Sequence, residues 1–216
     1  MEVFRLDKKG LSNNRNNALD HCTADLVLIS DDDLEYYPNF SDVIFETFAE
    51  KEENKESDLD LAVFKIDFSP PKHYPSKDCR LTLPLPKNYY CSSVEIVFRH
   101  EKFKERRFYP EIGLGNDRIQ CGEDELFLIS AIKRKFSCKF INKSIGRHPA
   151  ETTGHKVSSG ILRGQGLIIR LIYPLSAILR LPLKAYRANR KNKYPFLKAL
   201  MCLIQGAVSR VPKTYR

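Results

Sequence analysis

The 216 residues hold 42% apolar and 29% charged side chains, enough for one packed α/β domain with a short appendage and too few for two full domains. Six cysteines occur with no CxxC pair and no zinc-ligand spacing, and residues 1–10 lack the apolar stretch of a signal peptide, so the thiols are expected to be reduced and the compartment cytosolic. The net charge of +9 is split unevenly: residues 1–155 hold 23 Lys and Arg against 27 Asp and Glu, whereas residues 156–216 hold 13 Lys and Arg and no acid. That split sets the expected boundary, a domain over 1–155 and a basic appendage over 156–216.

In chain order, residues 3–6 predict a short strand, 10–14 a turn-rich stretch and 16–22 a short helix. Residues 25–30 (DLVLIS) form a continuous apolar run closed by acids, which predicts a buried, parallel strand. A helix follows over 40–51 and a strand over 60–68. Residues 69–86 read as loop, with prolines at 70, 71, 75, 84 and 86. A strand is expected over 93–99, then a helix over 123–135 with Leu126, Phe127, Ile129 and Ile132 on its inner side, and a last strand over 139–145. Residues 166–183 are strongly apolar, but Arg170 and Arg180 interrupt them, and Pro174 and Pro182 should kink or end a helix. This pattern suits a basic amphipathic helix lying on a membrane better than one crossing it, and residues 195–208 repeat it more weakly. A soluble helix pair packed on the domain is the other reading.

Two acid clusters stand out. Asp31, Asp32 and Asp33 follow the 25–30 strand, and three adjacent carboxylates repel one another unless water or a cation neutralises them. At the carboxyl end of a strand they point where ligands bind in α/β sheets, and hard oxygen donors suit Mg²⁺ or Mn²⁺. A solvated loop face would look the same. Glu123, Asp124 and Glu125 open the helix at 123, where the helix dipole alone would favour acids; one of them could instead serve as a general base. Gly113 and Gly115, just ahead, imply a shaped loop.

Taken in order, these segments resemble glycosyltransferase family 2. Gly10-Leu11-Ser12-Asn13-Asn14-Arg15-Asn16 is similar to its G-x-s-x-x-R-N stretch. Leu26 to Asp33 is similar to its strand and DxD motif, although Ser30 stands where the family often has its first Asp, so the triplet reads in two registers. Phe108 to Gly115, followed by Gly122-Glu123-Asp124, is similar to the F-x-E-x-x-G-x-G … G-E-D pattern of bacterial capsular and cell-surface polysaccharide transferases. The resemblance covers about residues 3–155. It implies a GT-A-like, Rossmann-related α/β fold: a mixed sheet flanked by helices, incomplete at the N-terminus because the nucleoside-binding strands would precede residue 1, and followed by a basic helical tail.

The resemblance also implies roles. Asp31 and Asp33 would hold the metal, with Asp32 on the sugar or ribose side. Arg15 would steady the diphosphate. Asp124 would be the base, with Glu123 orienting it or touching the acceptor. His148 falls where a late His lies near the metal, and His155 is a second candidate. The implied reaction moves a sugar from a nucleotide-sugar donor, a UDP-sugar first among them, to a hydroxyl of a lipid-linked or polysaccharide acceptor, with inversion. Residues 161–210 would rest on an anionic membrane, which places the protein peripherally on the cytosolic face of the inner membrane. The alternative is an inactive transferase remnant that binds a membrane or a partner. Nucleic acid is disfavoured, because the tail has Tyr173, Tyr186, Tyr194 and Phe196 but no nucleic-acid-reading motif.

Overall fold

A computed structural model of the chain describes residues 3–49, 59–87, 89–148 and 157–215. The chain divides into two units. One comprises Met1–His21, Arg106–Ser130 and Thr153–Arg216, and the other Cys22–Glu105 and Ala131–Thr152.

The second unit carries the sheet. Its strands are β1 (Leu26–Leu28), β2 (Glu35–Tyr36), β3 (Leu61–Phe68), β4 (Cys79–Arg80), β5 (Ile96–Arg99) and β6 (Cys138–His148). They lie in the order β1-β5-β3-β6-β2, with β4 also on β6. Among the described residues only β3 and β6 run parallel; the other pairs are antiparallel, so the sheet is mixed. The α/β architecture expected from sequence is present.

β3 sits between β5 and β6, and Leu61, Ala62, Val63 and Phe64 are buried in succession, as a strand covered on both faces requires. Helix α2 (Phe40–Phe48) places Ile44 and Phe48, one turn apart, on the core formed by Phe64, Ile66, Val97 and Ile145. Asp42 in its first turn faces the positive end of the helix dipole. The short helix α3 (His100–Phe103) follows β5.

Several sequence expectations need correction here. The 25–30 run yields only three strand residues, and they pair antiparallel with β5 alone among the described residues. Leu26 and Leu28 are half-buried and pack on the α2 core. The run is apolar because it underlies a helix, not because strands flank it on both sides. Residues 93–95 form a 3₁₀ turn closed by a reciprocal Ser92–Glu95 capping box, so β5 begins only at Ile96. The last strand is longer than expected at both ends.

The first unit is helical. Helix α1 (Leu11–Asp20) begins within the stretch expected to be turn, and buries Ser12, Arg15 and Leu19 along one stripe. Residues 3–6 form no strand; Phe4 instead stacks on His21, with ring centroids 3.8 Å apart. Helix α4 (Glu123–Lys133) buries Leu126, Phe127 and Ile129, while Ile132 is half-buried. Three helices form the tail: α5 (Ser159–Ile172), α6 (Ala177–Asn192) and α7 (Phe196–Ala207).

The apolar 166–183 stretch is therefore not one helix. It breaks around Pro174, and its first part faces inward, with Gly166, Leu167, Ile168 and Leu171 buried. Pro182 lies inside α6 without ending it. Helices α5 and α7 approach so closely that a β-carbon at Gly166 would overlap the Leu203 carbonyl, and one at Gly206 the Arg163 carbonyl. Small residues at the crossing permit this separation.

Candidate functional site

In the first unit, α1 and the start of α4 bring Arg15, Glu123 and Asp124 together. Arg15 Nη1 donates to Asp124 Oδ1 at 2.6 Å and lies 3.9 Å from Glu123 Oε1. The arginine is only 7% exposed, and its guanidinium carbon sits 5.2 Å above the Phe108 ring. A buried cation needs such partners. Arg15, expected at a diphosphate, is thus packed against the acid pair.

The loop before α4 is fastened to α1. Asn16 grips the Phe108 backbone at both ends: its amide nitrogen donates to the Phe108 carbonyl, and its oxygen accepts from the Phe108 N–H, both at 2.8 Å. Ser12 Oγ donates to the Ile112 carbonyl at 2.7 Å. Gly113 and Gly115 have φ of +111° and +87°, and a β-carbon at Gly113 would stand 2.9 Å from the Glu123 carboxyl carbon. Glycine is required there both for the backbone angle and to admit the acid. Ser12 and Asn16 lay inside the recognised motif with no role attached. What locates their partners is the fold, since neither loop nor helix reveals the other by spacing.

Burial, reinforced by the charge of Asp124 and opposed by Arg15, raises the Glu123 carboxyl to about 7. Asp124 keeps 17% of its side chain exposed against 9% for Glu123, so of the two it is the more accessible to a substrate.

The second unit holds the acid triplet and His148. Strand β2 pairs with the end of β6 in the register Glu35↔Arg147, and an ion pair between those side chains, at 2.6 Å, closes the edge. Continuing that register carries Asp33 to the end of β6, where Asp33 Oδ1 lies 3.2 Å from His148 Nε2. His148 is buried, and its ring stacks on Phe68, the residue opposite it on β3. Asp31 is half-buried and Asp32 exposed. Burial pushes the Tyr36 phenol above its usual range; the Ser30 hydroxyl counteracts this and the Asp31 charge adds to it.

Among the described residues no three or more His, Cys, Asp or Glu side chains are grouped to hold a metal ion. Asp33 and His148 make a pair whose carboxylate oxygen and ring nitrogen suit a divalent cation of the Mn²⁺ kind. Asp31 does not join them as a third donor. His155 lies outside the described residues. A cavity of about 520 Å³ adjoins this pair through Phe68, and Asp67, Tyr74 and Asn142 also line it.

The mixed α/β sheet is the architecture that the resemblance to glycosyltransferase family 2 implied. Consistent with this, residues 1–107, just under half of the chain, match the family model for glycosyl transferase family 2, which supports membership of that family. No curated protein matches the chain. The matched segment includes Arg15, the acid triplet and the whole of β5, but stops short of the Glu123–Asp124 pair. Family-level chemistry is the transfer of a glycosyl group, with nucleotide-sugar donors and divalent cations in general use.

Proposed function

We propose that the protein transfers a sugar from a nucleotide-sugar donor, a UDP-sugar in the first instance, to a hydroxyl of a lipid-linked or polysaccharide acceptor. The observation that carries this reading is the buried Arg15–Asp124–Glu123 cluster, two acids and a cation held by a fastened loop at the start of a helix. Such a cluster has no evident need to exist for packing alone, because buried charges cost stability.

In the reaction, the acceptor oxygen forms a bond to the anomeric carbon while the bond from that carbon to the diphosphate oxygen breaks. The electron pair leaves with the diphosphate, and the hydroxyl proton goes to the Asp124 carboxylate as general base. Attack opposite the leaving group gives inversion. Arg15 positions Asp124, and Glu123 orients the acceptor. Asp33 and His148 would hold a Mg²⁺ or Mn²⁺ ion, with Asp31 adding negative charge two residues away and Asp32 on the ribose or sugar side. The chemistry such an ion would supply there is neutralisation of charge on the departing diphosphate.

The test is release of nucleoside diphosphate by the full chain with Mn²⁺ across a panel of nucleotide sugars, with Asp33→Ala and Asp124→Asn in parallel. Turnover that both variants retain in full would remove these site assignments. The second reading is a remnant that binds without catalysis. Calorimetry with UDP and Mn²⁺ separates the two, because a remnant shows no metal-dependent heat.

A further inference from the structure

Helices α6 and α7 expose an apolar face that the fold of their own unit leaves uncovered. Leu175 just ahead of α6, Ile178 and Leu179 of α6, Leu197 and Met201 of α7, and Val208 just after it are 61–95% exposed, all within 34 positions of the chain. A monomer rarely leaves such residues in one run. They are not the residues that build the helical core. That core uses Leu181, Ala185 and Ala188 from α6, and Ala199, Cys202, Leu203 and Ala207 from α7. Each helix therefore has two apolar stripes, one turned inward and one outward. A helix apolar on both sides belongs either inside a protein or against lipid.

The charges choose between these. Arg180, Arg187, Arg190 and Lys191 of α6 are all exposed, and residues 156–216 contain no acid to neutralise them. No helix among the described residues is long and apolar enough to cross a membrane. An exposed apolar stripe with a cationic border and no span fits a surface that is apolar inside and anionic outside. We infer that α6 and α7 form an in-plane docking face for an anionic lipid bilayer, with the six large side chains entering the acyl boundary and the α6 cations contacting headgroup phosphates. This rests on the proposed lipid-linked acceptor only for its purpose; the binding itself needs neither donor nor acceptor. The sequence expectation placed the whole of 161–210 on the membrane, and the structure narrows the face to the outward stripes of α6 and α7, since α5 is turned inward.

The experiment is cosedimentation of the full chain with vesicles of phosphatidylcholine alone and of phosphatidylcholine with phosphatidylglycerol. Binding should require phosphatidylglycerol and weaken steeply as salt rises. Leu179→Asp with Met201→Asp, both at exposed positions, should cut partitioning at least about tenfold with an unchanged unfolding midpoint. Arg180→Gln with Arg187→Gln should weaken binding to the anionic vesicles and flatten its salt dependence. The proposal is overturned if the wild-type chain ignores both vesicle types, or if the double Asp variant binds as well as wild type. It is also overturned if sedimentation velocity shows a dimer that this variant abolishes while vesicle binding is absent, because the face would then belong to a second copy. Asp33→Ala and Asp124→Asn should bind vesicles normally, so failure of the transferase reading and failure of this one are read separately.

Discussion

Arg15 Nη1 lies 2.6 Å from Asp124 Oδ1 across 109 positions of sequence, and the same nitrogen lies 3.9 Å from Glu123 Oε1, so one buried cation serves two acids. Arg15→Met takes the cation from beside both acids and should lower stability by about 3 kcal/mol in denaturant unfolding, because truncating one side of a buried ion pair costs more than the pair contributes. Arg15→Lys restores charge but not the planar guanidinium stacked over Phe108, so it should recover only part of the loss. Equal stability for wild type and Arg15→Met would mean that the ion pair does not persist in solution.

Glu123 gives the protein a pH signature. Its carboxyl titrates at about 7 in the fold, against the ordinary 4.5. Between those values the folded state holds a proton that the unfolded state has released, so stability falls as pH rises through this window and levels off above it. Glu123→Gln cannot titrate and lacks this slope. Relative to wild type it should gain on the order of 2 kcal/mol between pH 5 and pH 8, followed by thermal or urea unfolding at the two pH values. A constant difference across the range would contradict the assignment.

For the metal pair, His148→Ala and Asp33→Ala should each weaken Mn²⁺ binding at least about tenfold by calorimetry on the purified chain. His148→Ala additionally removes the ring stacked on Phe68, so its unfolding midpoint should drop while that of Asp33→Ala, whose side chain is half-exposed, changes little. Unaltered Mn²⁺ affinity in both variants would move the metal elsewhere.

Asp124→Asn keeps the shape of the side chain and removes its basicity. If Asp124 is the base, turnover should fall about 10²–10⁴-fold with little change in the Michaelis constant for the donor. Glu123→Gln should act more mildly and shift the pH profile instead, since its carboxyl titrates near neutrality. A larger loss in Glu123→Gln than in Asp124→Asn would exchange the two roles.

At the α5–α7 crossing, Gly206→Ala places a methyl group on the Arg163 carbonyl and Gly166→Ala one on that of Leu203. Neither contact is the mobile end of a side chain, so the helices must separate. A loss of about 3 kcal/mol or more is expected for each in equilibrium unfolding, and helicity should survive because alanine favours helix.

The sequence revealed periodic and chemical features best. The apolar runs located β3, α2 and α4 to within a few residues, and the acid clusters were visible as unusual charge. It did not reveal pairing. Residues 25–30 look like a central strand because an apolar run reports burial and not which neighbour supplies it; α2 covers Leu26 and Leu28. Arg15 was visible as part of a motif, yet nothing in the spacing indicates that its partner lies at Asp124. Asp33 and His148 were each named separately, and their contact follows from the β2–β6 register, a property of the folded sheet. Residues 166–183 read as one amphipathic helix because proline positions mark possible breaks without saying which is used: Pro174 follows the end of α5 and Pro182 is absorbed in α6.

Helix α7 is apolar on both sides, so polarity cannot tell it which side to turn inward. Size does where α5 crosses: the inward stripe is mostly small, with Ala199, Cys202, Gly206 and Ala207 beside Leu203, whereas the outward one holds Leu197, Met201 and Ile204. The helix is oriented by a steric code, in which only the narrow stripe fits the gap beside α5. Enlarging the narrow stripe while trimming the wide one should rotate α7 about its axis, leaving its composition and hydropathy nearly as they are.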